Sequence, residues 1–193
     1  MELEKPVVND NRFLFGTKPF EIFYASSLVD EKSEDPDYCA ELKINGWRLG
    51  LVSDIHGKVT GYQGRGEKMS FFSISDDFRL EPCSQLEGEW VDRRTNQKNQ
   101  IYWFNLLRYR GEITGFEDKY RRKLLEEMFP EETKVGEFSM RVVPRFYSDF
   151  RQVYEQYRDN DLIEGLVIKK LSAPLEYSFD KLRKSPSTIK VKK

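Results

Sequence analysis

Glu41-Leu42-Lys43-Ile44-Asn45-Gly46-Trp47-Arg48 is the segment from which the rest of this chain can be understood. An alternating run from Cys39 to Ile44 predicts a strand, and Asn45-Gly46 is a turn signal immediately after it. A second strand is predicted from Trp47 to Ser53. Lys43 therefore stands at the end of an apolar strand, and Gly46 is expected to let the backbone come close to a ligand. A lysine amine attacks phosphorus only as the free base, so it needs cationic neighbours, a metal ion or burial to shed its proton. Taken alone, the loose K-x-x-G-x-R spacing reads as a surface lysine before a hairpin turn.

Four later segments supply what that lysine lacks. Glu87-Gly88-Glu89-Trp90-Val91 and Glu164-Gly165-Leu166-Val167-Ile168-Lys169 place carboxylates within apolar strands, where an unpaired charge is costly. Ile101-Tyr102-Trp103-Phe104-Asn105-Leu106-Leu107 is an aromatic strand in which Trp103 and Phe104 face opposite sides. In Lys190-Val191-Lys192 the alternation sends both ammonium groups to one face.

In this order the five segments resemble motifs I, III, IIIa, IV and V of the covalent nucleotidyltransferases: ATP-dependent DNA ligases, RNA ligases and mRNA-capping guanylyltransferases. The resemblance implies an α+β, ATP-grasp-like adenylation domain of antiparallel sheets with flanking helices, using ATP and Mg²⁺. It implies that Lys43 carries AMP, with Lys190 and Lys192 neutralising charge on the α-phosphate. Glu41 matches the acidic position that contacts adenine N6, Glu89 the ribose acceptor and metal organiser, and Phe104 the purine-stacking aromatic. Glu164 matches the carboxylate that holds the divalent cation. Arg48 matches the arginine that touches nucleotide and nick, and Lys169 closes the motif IV segment as a further nucleotide contact. Arg65, in the loop Gln63-Gly64-Arg65-Gly66, is a candidate for the nick phosphate.

The pattern departs from the family at Asn45, Glu87 and Asn105, where Asp is common. The segment forms favour nicked double-stranded DNA as substrate, with RNA end-joining second and GTP-dependent capping third. A non-catalytic nucleic-acid-binding module is the reading from another class. No residues remain after motif V for an OB-fold domain, so the expectation is an excised catalytic domain, a separate OB-fold partner or action on part of the cycle only, with weak self-adenylation in isolation.

Composition sets the outer limits. With 32 Lys+Arg against 33 Asp+Glu the chain is no uniformly basic nucleic-acid binder, although local basic patches remain open. The runs Arg93-Arg94 and Lys119 to Lys123 read as solvated surface. Cys39 and Cys83 make no disulfide framework or zinc motif, and His56 sits in a turn. With no apolar run long enough to span a bilayer, no membrane role is expected. The expected setting is cytoplasmic, with a virus- or phage-encoded origin open.

Residues 1–36 read as a lead-in segment, with Glu31 to Asp37 an exposed loop, and residues 37–193 as the adenylation domain. Further strands are predicted at Lys58 to Tyr62, Leu86 to Asp92, Gln100 to Arg110, Phe138 to Phe146, Ile163 to Leu171 and Thr188 to Lys192. The segment Arg93 to Asn99 reads as a hairpin connection. Thr114-Gly115-Phe116-Glu117 predicts a capping box ahead of a helix whose face is Tyr120, Leu124, Leu125 and Met128. A second helix is predicted from Ser148, with Phe150, Val153, Tyr154 and Tyr157 on its inner face.

Overall fold

A computed structural model describes residues 12–92, 98–179 and 181–192. Two sheets form its frame. The first has the strand order β1 (Thr17–Phe23), β12 (Arg183–Lys192), β11 (Ile163–Lys170), β2 (Tyr38–Ile44) and β10 (Arg145–Phe146). The second runs β4 (Val59–Gln63), β3 (Trp47–Ser53), β5 (Gln85–Val91), β6 (Gln100–Tyr109), β9 (Phe138–Val142) and β8 (Thr133–Val135), with β7 (Glu112–Ile113) paired to β6. Helix α1 (Ser27–Glu34) packs against α3 (Phe150–Tyr157), and α2 (Asp118–Met128) lies against β6.

Period-two alternation divides each sheet into an oily and a polar face. On the first, Ala40, Leu42, Leu166, Ile168, Ile189 and Val191 join Val29 of α1 and Phe150, Val153 and Tyr154 of α3 in one core. On the second, Leu49, Leu51, Leu86, Trp90, Ile101 and Trp103 join Leu125 and Phe129 in another. The opposite faces carry the polar side chains singled out in the sequence. Register sets them in rows, since residues paired across strands share a face: Glu21, Lys190, Val167, Glu41 and Arg145 form one, and Lys43 lies beside Gly165 in the next.

The strand expectations hold within a residue or two for β2 to β6 and β11. Residues 93–97, most of the expected hairpin connection, lie outside the described residues. Asn45-Gly46 is not a hairpin turn: β2 belongs to the first sheet and β3 to the second, so the chain crosses between sheets there. Gly46 is required by that crossing, because a Cβ would stand 2.5 Å from the Trp90 carbonyl oxygen. Its close approach is to β5. The strand expected over Phe138 to Phe146 is likewise split, with Pro144, which lacks a ladder N–H, at the point where the chain leaves β9 for β10.

The sheets are mixed rather than purely antiparallel: β6 pairs with β9 and β1 with β12 in parallel. The lead-in supplies β1 and α1, so Glu31 to Glu34 are helical and not loop. Ser26 caps α1 by accepting from the Leu28 N–H at 3.3 Å. The capping box before α2 does not form. Thr114 donates its hydroxyl to the Leu106 carbonyl, and the helix starts at Asp118 with no side-chain cap.

The buried face of α2 is Asp118, Arg121, Arg122 and Leu125, whereas Tyr120 is exposed and Leu124 and Met128 are partly buried. The run Lys119 to Lys123 is therefore not all solvated surface: two of its cations are inside the molecule. Among the described residues no helix is long and apolar enough to cross a membrane.

Candidate active site

A cavity of about 190 Å³ lies between the polar faces of the two sheets. The first sheet contributes Glu41, Lys43, Val167 and Lys169, and the second contributes Arg48, Glu87, Glu89, Phe104 and Asn105. The crossing at Asn45-Gly46 creates this apposition. Lys43 ends one sheet and Arg48 begins the other, so residues five apart in sequence face the same space.

Lys43 Nζ donates to the Glu164 carboxylate. Glu164 sits on β11 beside Gly165, which β11 pairs with Lys43. Arg48 turns toward Glu87, donating from Nη2 at 2.8 Å and from Nε at 3.2 Å, and also reaches the Thr17 carbonyl. Phe104 faces the cavity while Trp103 is fully buried on the other side, as strand alternation requires. The Arg48 guanidinium and the Lys169 ammonium each lie 5.7 Å from the Phe104 ring centroid. A flat, cation-flanked aromatic surface suits an electron-rich ring system.

Glu89 is half-buried at the junction. Burial pushes its carboxyl up to about 7, against the pull of Lys43, Arg48 and the Gly46 N–H, with Glu164 adding to the rise. Glu89 and Glu164 are thus close enough to feel each other's charge. Two such carboxylates suit a hard divalent cation that takes its remaining ligands from water and phosphate oxygens. Among the described residues no group of three or more His, Cys, Asp or Glu forms a ready-made metal cage.

Lys190 and Lys192 do not line this cavity. They line a neighbouring groove with Asn45, Asn160, Asp161, Ile163 and Glu164, so Glu164 borders the groove as well as pairing with Lys43. Both lysines pair with Glu21 of β1, Lys190 at 3.6 Å. Arg65 is exposed at the Gln63–Glu67 turn and lines neither space.

Glu41 is the most heavily partnered carboxylate in the cavity. Its Oε1 accepts from Arg145 at 2.7 and 3.0 Å and from Arg122 at 3.2 Å, and its Oε2 pairs with Lys169 at 2.6 Å. Asp118 at the start of α2 pairs with Arg145 at 2.8 Å and with Arg121 at 3.4 Å. Burial alone would raise the Glu41 carboxyl, but Lys169, Arg145 and Arg122 override it and hold the group at about 2.

Sequence reasoning missed Glu87, Asp118, Arg121, Arg122 and Arg145. Glu87 carried a findable signal, lying two residues before Glu89 on the same strand face. The other four become neighbours of Glu41 only through the fold.

A family model described as an ATP dependent DNA ligase domain matches residues 65–192, more than half of the chain. The matched stretch begins after Lys43. No curated protein matches this chain. Among solved structures the chain is similar to mycobacterial DNA ligase D complexed with ATP and MES, at 19% identity and a TM-score of 0.62, covering 92% of this chain and 60% of that one. It is also similar to the ATP-dependent DNA ligase of bacteriophage T7 in complex with ATP, at 16% identity and a TM-score of 0.58, covering 92% and 68%. An archaeal ATP-dependent RNA ligase gives 16% identity and a TM-score of 0.57, covering 91% and 47%. The chain thus spans about 60% of the length of the first of these structures.

Proposed function

The chain belongs to the ATP-dependent DNA ligase domain family, and on that basis we propose that it joins polynucleotide ends through a lysyl-AMP intermediate on Lys43. The observation that carries the reading is the sharing of one cavity by Lys43, Glu89, Arg48 and the Phe104 ring. In the first step Nζ of Lys43 bonds to the α-phosphorus of ATP as the α–β phosphoanhydride bond breaks. Pyrophosphate leaves with the electron pair, and the amine's proton passes to solvent. AMP then moves to a 5′-phosphate end, and a 3′-hydroxyl displaces it.

In this scheme Phe104 stacks the purine, Glu89 accepts from the ribose, and Arg48, oriented by Glu87, contacts the nucleotide and the nick. Glu89 and Glu164 are the residues that would hold Mg²⁺, which would neutralise charge on the α-phosphate. Lys190 and Lys192 border Glu164 from the adjoining groove and stabilise the negative charge that builds on the transferring phosphate. Nicked double-stranded DNA is the proposed substrate.

Incubation with α-labelled ATP and Mg²⁺ is expected to label the protein covalently, and Lys43→Ala to abolish the label. Absence of label from the wild-type chain, even with an OB-fold partner added, would overturn the enzyme reading. An RNA substrate is the second reading, favoured by the similarity to the archaeal RNA ligase. Comparing nicked DNA with nicked RNA, both pre-adenylylated at the 5′ end, separates the two.

A further inference from the structure

The cluster around Glu41 has a shape that ion pairing alone does not require. An ionised carboxylate offers about four acceptor positions on its two oxygens. Among the described residues, three donor contacts converge on Oε1, two from Arg145 and one from Arg122, while Oε2 pairs with Lys169 alone. Acceptor capacity therefore remains on Oε2. Lys169 also donates to the Phe104 carbonyl at 2.8 Å, which ties this oxygen to the strand that carries the aromatic ring.

Arg145 fixes the arrangement from behind. It is paired in register with Glu41 across β10 and β2 and is itself held by Asp118 at 2.8 Å. Its side chain is 3% exposed, and it does not line the cavity. The planar guanidinium fork loads one carboxylate oxygen and leaves the other turned to its remaining partners, which a lysine's single ammonium cannot reproduce.

We propose that Arg145, anchored by Asp118, is a positioning residue for nucleobase selection: it holds Glu41 so that Oε2 accepts from an N–H on the edge of a base stacked on Phe104. The ligand class is a purine with an exocyclic amine. This rests on the reading of the cavity as a nucleotide site and adds to it a residue that never touches the nucleotide.

The test is equilibrium binding by titration calorimetry of ATP and of purine riboside triphosphate, which lacks the exocyclic amine, alongside thermal melting. Wild type is expected to prefer ATP by about tenfold, the worth of one buried hydrogen bond to a charged acceptor. Arg145→Lys is expected to erase most of that preference while binding purine riboside triphosphate as wild type does. Asp118→Asn, at a cavity-lining residue whose ion pair with Arg145 links it to Glu41, is expected to erase part of it. Either variant melting lower yet keeping the full ATP preference would overturn the proposal and leave Arg145 a structural ion-pair member. Failure of wild type to bind either triphosphate would instead overturn the nucleotide-site reading, and this inference with it.

Discussion

Glu89 concentrates the site's electrostatic tension in one side chain. An ordinary carboxyl titrates near 4.5, whereas burial raises that of Glu89 to about 7 in the folded protein. The folded state then binds its proton more tightly than the unfolded state. Stability contributed by the neutral form is complete below about 4.5 and is lost as pH rises through about 7, at a cost on the order of 3 kcal/mol. Glu89→Gln is therefore expected to melt higher than wild type at pH 8, with the gap closing as pH falls toward 4.5. A gap that is constant with pH would show that the carboxyl titrates normally. Lys43, Glu89, Phe104 and Glu164 were all legible in the sequence, because each is a chemically marked residue at a marked position in an apolar strand. Arg145 and Asp118 were not, since neither lies in a motif and their pairing with Glu41 is set by β10 and α2.

Among the strands and helices, the decisive feature is how closely the backbone approaches its neighbours around β11. Gly165 has φ of +145° and would place a Cβ 2.2 Å from the Val191 carbonyl oxygen of β12. No L side chain fits there without parting the strands. Gly165→Ala is expected to destabilise the fold by about 2–4 kcal/mol and to weaken nucleotide binding by displacing neighbouring Glu164. Urea unfolding reads the first effect and calorimetry the second; an unchanged unfolding midpoint would mean that β11 and β12 tolerate separation. Helix α2 shows why periodicity missed what it did. Its apolar residues predicted a face over Tyr120, Leu124, Leu125 and Met128, but the helix turns Asp118, Arg121 and Arg122 inward as well as Leu125. Glu41 of β2 pairs with the buried Arg122, and Asp118 of the same helix pairs with Arg121, so apolar periodicity announces neither arginine as an inward-facing residue. Strand β1 was invisible for a related reason. Its alternation is weak and its partner β12 lies at the far end of the sequence.

Across the protein as a unit, the Glu41 cluster ties α2, which packs on the second sheet, to three strands of the first. Its carboxyl is held at about 2 against an ordinary 4.5, so the stability it confers is present above about 4.5 and is lost as pH falls through about 2. Glu41→Gln strands three buried cations and is expected to cost about 3–5 kcal/mol at neutral pH. Its stability should also fall less steeply than that of wild type below pH 4.5. Urea midpoints followed by tryptophan fluorescence across pH 2–7 check both, and parallel pH curves for the two proteins would refute the coupling. Alternation, turn residues and motif spacing are local properties, and they sufficed for the α+β class, most strands of both sheets and several of the side chains that line the cavity, among them Lys43, Glu89 and Phe104. Other features emerged only once the chain was folded: Asn45-Gly46 and Pro144 are crossings between sheets, β1 and β12 share a sheet, and arginines hold Glu41 from behind. Those outcomes follow from which apolar faces bury one another and which distant charges must then be neutralised. Both are long-range balances that no window of sequence contains.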